Sequence, residues 1–353
     1  MSRTIRIGHQ NIGGGAPVAI QSMTNTDTRD VDATVGQILA LEQAGCQIVR
    51  LSVYDTACAQ ALRAIQKQVH IPLVADIHFD HRLALQSIEA GVDKLRINPG
   101  NIGSQAKVRE VAAAAQANGI PIRIGVNGGS LEKELLERYG GATPEAMVES
   151  ALKHVALLES CHFSDIVISV KHSTVKQTVE AYRLLAQKVD YPLHLGVTET
   201  GTVRLGIVKS AMGIGSLLLD GIGDTLRVSL AGDPVREVTA AKDILRAAGL
   251  YNQGVEIIAC PTCGRTTVDV EQIALELEKR VAHIRTPLKA AVMGCVVNGP
   301  GEAREADVGI AGAAGDAILF RKGEKVARLH GRDALDALVQ ELESLDKQTR
   351  LGE

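Results

Sequence analysis

The chain has 353 residues, of which 45% are hydrophobic and 22% charged, enough for one large globular domain and a smaller one. A net charge of -3, the lack of any long basic run and 2% aromatics without Trp point away from nucleic-acid binding. No apolar run approaches the ~18 residues of a membrane span, and the opening "MSRTIRIGHQ" lacks the apolar core of a signal peptide. The expectation is a cytoplasmic protein without membrane contact. Its six cysteines are then metal ligands or buried thiols rather than disulfides.

In chain order, "NIGGGAP" (11–17) reads as a tight hairpin before the first strand. Eight β-type runs follow: "PVAIQSM" (17–23), "QIVRLSV" (47–53), "PLVADIH" (72–78), "KLRINPG" (94–100), "IRIGVN" (122–127), "IVISVKH" (166–172), "LHLGVTE" (193–199) and "LRVSLAG" (226–232). Amphipathic stretches such as "ATVGQILALEQAG" and "TVEAYRLLAQKV" separate them. Eight such units in about 250 residues predict a (β/α)8 barrel over 1–250. A doubly wound sheet, the alternative, has fewer strands and a Gly-rich first turn. After "AAGL" (247–250) the rhythm changes. Strand "VEIIA", helix "VEQIALELEKRVAHI", strands "LKAAVMG" and "DVGIAG", hairpin "AILFRKGEKVARLHG" and helix "RDALDALVQELES" predict a smaller α+β domain over 251–353.

Side chains alternate across a strand. That period puts Arg50 with Ser52, Asp76 with His78, Arg96 with Asn98, Arg123 with Asn127, Ser169 with Lys171, and Arg227 with Ser229 on the inward faces. These groups crowd the C-terminal ends of the strands, where barrel active sites lie. One strand arginine alone reads as a structural ion pair. Four arginines and a lysine converging on one mouth need an anionic partner. The acids in reach, Asp76 and Glu199, are too few, so the expected ligand is a polyanion such as a diphosphate, gripped by guanidinium forks. "GVNGGSLEKELL" (125–136) adds a turn read as opening a helix, whose N-terminal N–H groups bind phosphate.

Cys260-x2-Cys263 places two thiols on one turn, and Cys295 stands in the glycine-rich "GCVVNGPGEA". Three thiolates suit a metal centre. Glu302, seven residues after Cys295 and past a Gly-Pro-Gly turn, is either a hard, exchangeable fourth ligand or a loop residue; spacing leaves both open. Cys46, Cys58 and Cys161 lie near apolar elements and read as buried thiols, and His283 as a surface residue.

The motifs "CPTCGR", "GCVVNGPGEA", "KLRINPGNIG" and "GVTETG" carry a resemblance that spans about residues 18–331. The chain resembles the 4-hydroxy-3-methylbut-2-enyl diphosphate synthase (IspG/GcpE) family in its two-domain form. The resemblance implies two-electron reductive ring opening of 2-C-methyl-D-erythritol 2,4-cyclodiphosphate. It implies a [4Fe–4S] cluster on Cys260, Cys263, Cys295 and Glu302, diphosphate contacts from Arg50, Arg96, Arg123, Lys171 and Ser229 with Asn127 nearby, and Glu199 as acid/base. It also implies reduced flavodoxin or ferredoxin as electron donor, and a homodimer in which one chain's cluster domain covers the other's barrel mouth. A rival reading makes Lys171 the Schiff-base lysine of a phosphate-binding aldolase with a structural zinc. A third makes the chain a non-catalytic iron–sulfur carrier or sensor.

Overall fold

The eight β-type runs become eight strands of one sheet. The computed structural model describes residues 1–98, 100–297, 301, 303–313, 315–330 and 333–352, and the chain divides into two compact units, Met1–Leu250 and Tyr251–Glu353. A hairpin of β1 (Ile5–Ile7) and β2 (Gln10–Ile12) comes first. The sheet then contains β3 (Ala19–Met23), β4 (Ile48–Ser52), β5 (Leu73–Asp76), β6 (Lys94–Ile97), β7 (Ile122–Asn127), β8 (Ile166–Lys171), β9 (His194–Leu195) and β10 (Thr225–Leu226). Their order is β8-β7-β6-β5-β4-β3-β10-β9, with every pairing parallel. A parallel bridge from Ile168 to Leu193 joins the two ends. This is the predicted (β/α)8 barrel.

Helices follow the strands because local caps start them. Asp30, Asp55, Asp80 and Thr143 each accept a backbone N–H of the first turn, satisfying donors that a helix start leaves unpaired. The apolar faces of these helices cover the outer faces of the strands, so the sheet is buried on both sides.

Two local readings change. The hairpin spans 5–12, with its turn at Gly8–His9, and the run Gly13–Gly15 only links it to β3. Those glycines hold φ values of 71, 60 and 85°, a left-handed run that side chains resist. Ile5, Ile7 and Ile12 pack on Ala19, Ile48, Val74 and Val167, so the hairpin plugs the barrel at the N-terminal ends of its strands. In addition, β9 and β10 are two residues each, far shorter than the runs read from sequence.

The second unit is a five-stranded sheet of β11 (Val255–Ala259), β12 (Leu288–Met293), β13 (Val308–Ala313), β14 (Asp316–Arg321) and β15 (Glu324–His330), in sequential order. The first three strands are parallel and the last three antiparallel. Period-2 alternation splits β12: Leu288, Ala290 and Val292 face a core shared with helices Val270–Val281 and Asp333–Leu351, whereas Ala291 and Met293 face a second cluster with Phe320. Among the described residues no helix is long and apolar enough to cross a membrane.

Candidate active site

Parallel register brings the inward side chains of five strands, β4 to β8, to one level. Arg50 and Val74, Ser52 and Asp76, Asp76 and Arg96, Arg96 and Arg123, and Asn127 and Lys171 are paired positions. The result is a cavity of about 150 Å³. Its walls carry the expected Arg50, Arg96, Arg123, Asn127, Lys171 and Ser229, together with Asp76, His78, Ser169, Thr198 and Arg227. Five cations thus face one lining carboxylate.

Long side chains reach this space because neighbouring strands carry glycine there. A Cβ on Gly125 would lie 2.4 Å from Arg96 Nε, and one on Gly196 would lie 2.5 Å from Lys171 Nζ. Either Cβ would push the cation out of its place, so these glycines are part of how the cations are seated.

The cations are held, but not neutralised. Asp76 accepts from Arg96 Nη1 at 3.1 Å and lies 3.6 Å from Arg50 Nε. Burial alone would raise the Asp76 pKa; Arg50, a hydrogen bond with His78 and Arg96 outweigh it and hold the carboxyl far below its ordinary range. Arg50 otherwise offers Nε and Nη2 only to the Met23 sulfur, at 3.1 and 2.8 Å, a weak acceptor. Burial pushes its pKa down to about 10, against the pull of Asp76 and with help from Arg227 and Arg96. Arg123 donates Nη1 to Ser169 at 3.0 Å, while its buried Nε and Nη2 have no protein partner. Burial first, and then Arg123, Arg50, Arg227 and Arg96, drive the Lys171 pKa well below that of an ordinary lysine. Unmet donors and mutual repulsion both favour an incoming polyanion.

Two expectations sit differently. Glu199 is exposed on the loop after β9, with φ of 52°. Its neighbour Thr198 lines the cavity instead, and the charge of Glu199 is felt by His172. The Asn-Gly-Gly-Ser turn does not open a helix: Gly128–Ser130 is a single 3-10 turn, and the helix Lys133–Tyr139 starts later. Buried Leu131 and the following Glu132 are extended, which breaks the helix away from the turn.

In the second unit, Cys260 and Cys295 follow the adjacent parallel strands β11 and β12 at the same end. Cys260 Sγ accepts the Gly294 N–H at 3.0 Å. Thr267 N–H bonds the Gly294 carbonyl at 2.9 Å, tying the Cys-x2-Cys turn to the Cys295 segment. The Arg265 backbone N–H, above all, lowers the Cys263 thiol pKa, which favours the ligating thiolate form. Among the described residues no three His, Cys, Asp or Glu side chains are arranged to hold a metal ion. Glu302 lies outside the described residues. Cys260 and Cys295 therefore stand at one end of the sheet, and the thiols are not converged.

Sequence patterning missed Glu237. This carboxylate, on the helix Val235–Ala247, is 3% exposed and bonds Arg227 at 2.9 and 3.1 Å.

Comparison with known proteins fits the two units. The GcpE TIM-barrel domain matches residues 2–242, and the GcpE protein C-terminal domain matches 256–344. The chain belongs to the GcpE family. Among relatives of this GcpE-family chain, a protein of Caldanaerobacter subterraneus subsp. tengcongensis named 4-hydroxy-3-methylbut-2-en-1-yl diphosphate synthase (flavodoxin) is 58% identical over 348 residues, 99% of this chain and 98% of that one. The protein of that name in Geobacter sulfurreducens is 58% identical over 344 residues, 98% of each chain. The solved N-acetylneuraminic acid synthetase of Leptospira borgpetersenii serovar Hardjo-bovis, at 15% identity and a TM-score of 0.51, covers 79% of this chain and 97% of its own; it shares the fold alone.

Proposed function

We propose that this chain is a 4-hydroxy-3-methylbut-2-enyl diphosphate synthase. It would reductively open 2-C-methyl-D-erythritol 2,4-cyclodiphosphate, with two electrons and loss of one hydroxyl as water. The observation that carries this reading is the cavity of five cations with unmet donors in a GcpE-family barrel. On this reading the barrel unit binds the substrate and the second unit carries the redox centre. Cys260, Cys263, Cys295 and Glu302 would hold a [4Fe–4S] cluster, which supplies the electrons when bound.

The chain's own groups do the rest. Arg50, Arg96, Arg123 and Lys171 take the phosphate oxygens, with Ser229 and Asn127 completing the hydrogen bonds. They also stabilise the phosphate charge released when the ring opens. Glu199, at the rim, donates the proton that lets the hydroxyl leave as water. Relatives named for flavodoxin support reduced flavodoxin as donor, with ferredoxin as the alternative, and reduced thiols fit a cytoplasmic setting. The aldolase reading gives Lys171 a nucleophile's role, but four arginines around it serve an anion better than a Schiff base.

Arg123→Ala tests the site. It removes a fully buried fork with two unmet N–H groups. Affinity for the cyclodiphosphate, measured by calorimetry, is expected to fall by ~1.5–3 kcal/mol, with the iron content unchanged. An unchanged dissociation constant would place the diphosphate elsewhere and remove the main support for this function.

We further propose a homodimer in which the mouth of one chain works with the cysteines of the other. Mixing inactive Glu199→Gln and Cys263→Ser chains is then expected to restore activity, because one mixed site keeps both intact parts. No recovery after proven subunit exchange would mean that each chain closes its own site.

A further inference from the structure

We propose that Lys94 is a proton-accepting site beneath the barrel mouth: its amine is neutral while the cavity is empty and becomes an ammonium when the cyclodiphosphate enters. This rests on the reading of the barrel cavity as a diphosphate site.

Lys94 is not part of the cavity wall. It stands on β6 two residues before Arg96, on the same inward face and one level deeper. Its register partner Val74 belongs to the apolar cluster sealed by the β1–β2 hairpin. The side chain thus lies between a hydrocarbon plug and a cationic mouth, and it is fully buried. Among the described residues its one hydrogen bond runs from Nζ to Gln21 Oε1, at 3.2 Å.

An ammonium has three donors, and here a single neutral acceptor meets one of them. The carboxylate of the cavity wall, Asp76, is engaged by Arg96 and Arg50. His194 offers no counter-charge. It is fully buried, its Nδ1 is shared with Thr225 Oγ1 at 2.8 Å and its Nε2 has no partner. Burial, then Arg123, Lys171, Lys94 and Arg50, hold its pKa well below the ordinary range. Tyr182 donates its hydroxyl to the His194 carbonyl, and burial pushes its pKa up, so it stays neutral. Burial, and then Arg123 and Arg50, drive the Lys94 pKa well below that of an ordinary lysine. A buried ammonium without counter-charge gives up its proton rather than persist.

The diphosphate reverses this balance, because it offsets the arginines whose field keeps the amine neutral. A proton then enters from solvent, and ligand and proton favour each other by the same factor. The empty protein is spared one more buried like charge, and the site gains that charge once an anion is present to meet it.

Calorimetric titration of the holoenzyme with the cyclodiphosphate, in buffers of different ionisation enthalpy, counts the protons. Each phosphorus of a cyclic diphosphate bears one strongly acidic oxygen, so the ligand itself exchanges none near neutrality. Wild type is expected to take up about one proton more per ligand than Lys94→Met. Its affinity is expected to fall more steeply as pH rises from ~7 to ~9, by up to about tenfold per pH unit. Lys171 also has a depressed pKa, but it titrates in both proteins, so the difference reports Lys94. The empty proteins give a second readout. The folded pKa of Lys94 lies below its unfolded value of about 10.4, so the unfolded chain binds more protons, and Lys94 costs stability that is regained as pH rises towards that value. Lys94→Met is therefore expected to melt above wild type near neutrality, with the gap narrowing in alkali. Equal proton counts overturn the proposal, as does a gap that is constant with pH. If Lys94→Met does not fold, a wild-type affinity independent of pH over that range is sufficient to overturn it. If the cyclodiphosphate binds and the counts are equal, this proposal alone fails; if it does not bind, the diphosphate reading fails as well.

Discussion

Serine at Cys260, Cys263 or Cys295 is expected to yield a folded protein that, purified without oxygen, has lost its iron, its visible absorbance and its turnover. This is the largest effect anticipated for any single substitution. A serine hydroxyl stays protonated where a cysteine ionises, and iron–sulfur clusters are held by thiolates. The fold has little stake in these thiols. The second unit's core rests on Val270, Leu277, Val292, Ile310, Leu338 and Leu342, and Cys263 is exposed. Cys260 alone packs against both of that unit's apolar clusters and receives the Gly294 N–H, so Cys260→Ser is also expected to lower the melting temperature slightly. Iron content and circular dichroism are the measurements. A full iron complement in any of the three variants removes that cysteine from the ligand set, and a colourless, zinc-containing wild type would revive the aldolase reading.

Asp76→Asn is expected to cost more stability than any other substitution in the mouth. Asp76, 5% exposed, is the carboxylate between Arg96 and Arg50. Asparagine keeps its shape and removes its charge, leaving those guanidiniums repelling one another. Breaking a buried pair from one side costs ~3–5 kcal/mol, which in a domain of this size is a fall of roughly 6–20 °C in Tm. The pH dependence has a definite sign. The folded pKa of Asp76 lies below its unfolded value of about 3.9, so its contribution is complete above that value and is lost as pH falls towards the folded pKa. The gap in Tm between wild type and Asp76→Asn is therefore constant near neutrality and narrows below pH ~4. Pyrophosphate is expected to raise the variant's Tm more than the wild type's, because the polyanion replaces the missing charge. Equal melting curves at neutral pH, with and without pyrophosphate, would show that the cations are not electrostatically crowded.

Much of the barrel was legible because its signals are local. Most strands lie in short, largely apolar runs bounded by turn residues, and period-2 alternation alone puts Arg50, Arg96, Arg123 and Lys171 on the same face as their polar neighbours. The Cys-x2-Cys pair and the change of rhythm after residue 250 are equally local. Glu302 stood open between ligand and loop residue on spacing alone; only the family resemblance implies that it is a ligand.

What depended on distant parts of the chain could not be read this way. The hairpin moved to residues 5–12 because its isoleucines find their partners on β3, β4, β5 and β8. The Asn-Gly-Gly-Ser turn failed to open a helix because Leu131 is drawn into the core. Gly125 and Gly196 look like ordinary strand glycines until Arg96 and Lys171 are seen lying against them. Glu237 has the least signal of all. Ten residues after Arg227, in a helix of ordinary composition, it resembles any solvent-facing glutamate. By itself the sequence determined which residues could carry charge inward, since strand alternation fixes a side chain's face. Only the tertiary structure decided which of those charges are held, by whom, and with which donors left free, because that is settled by groups brought within bonding distance from across the barrel.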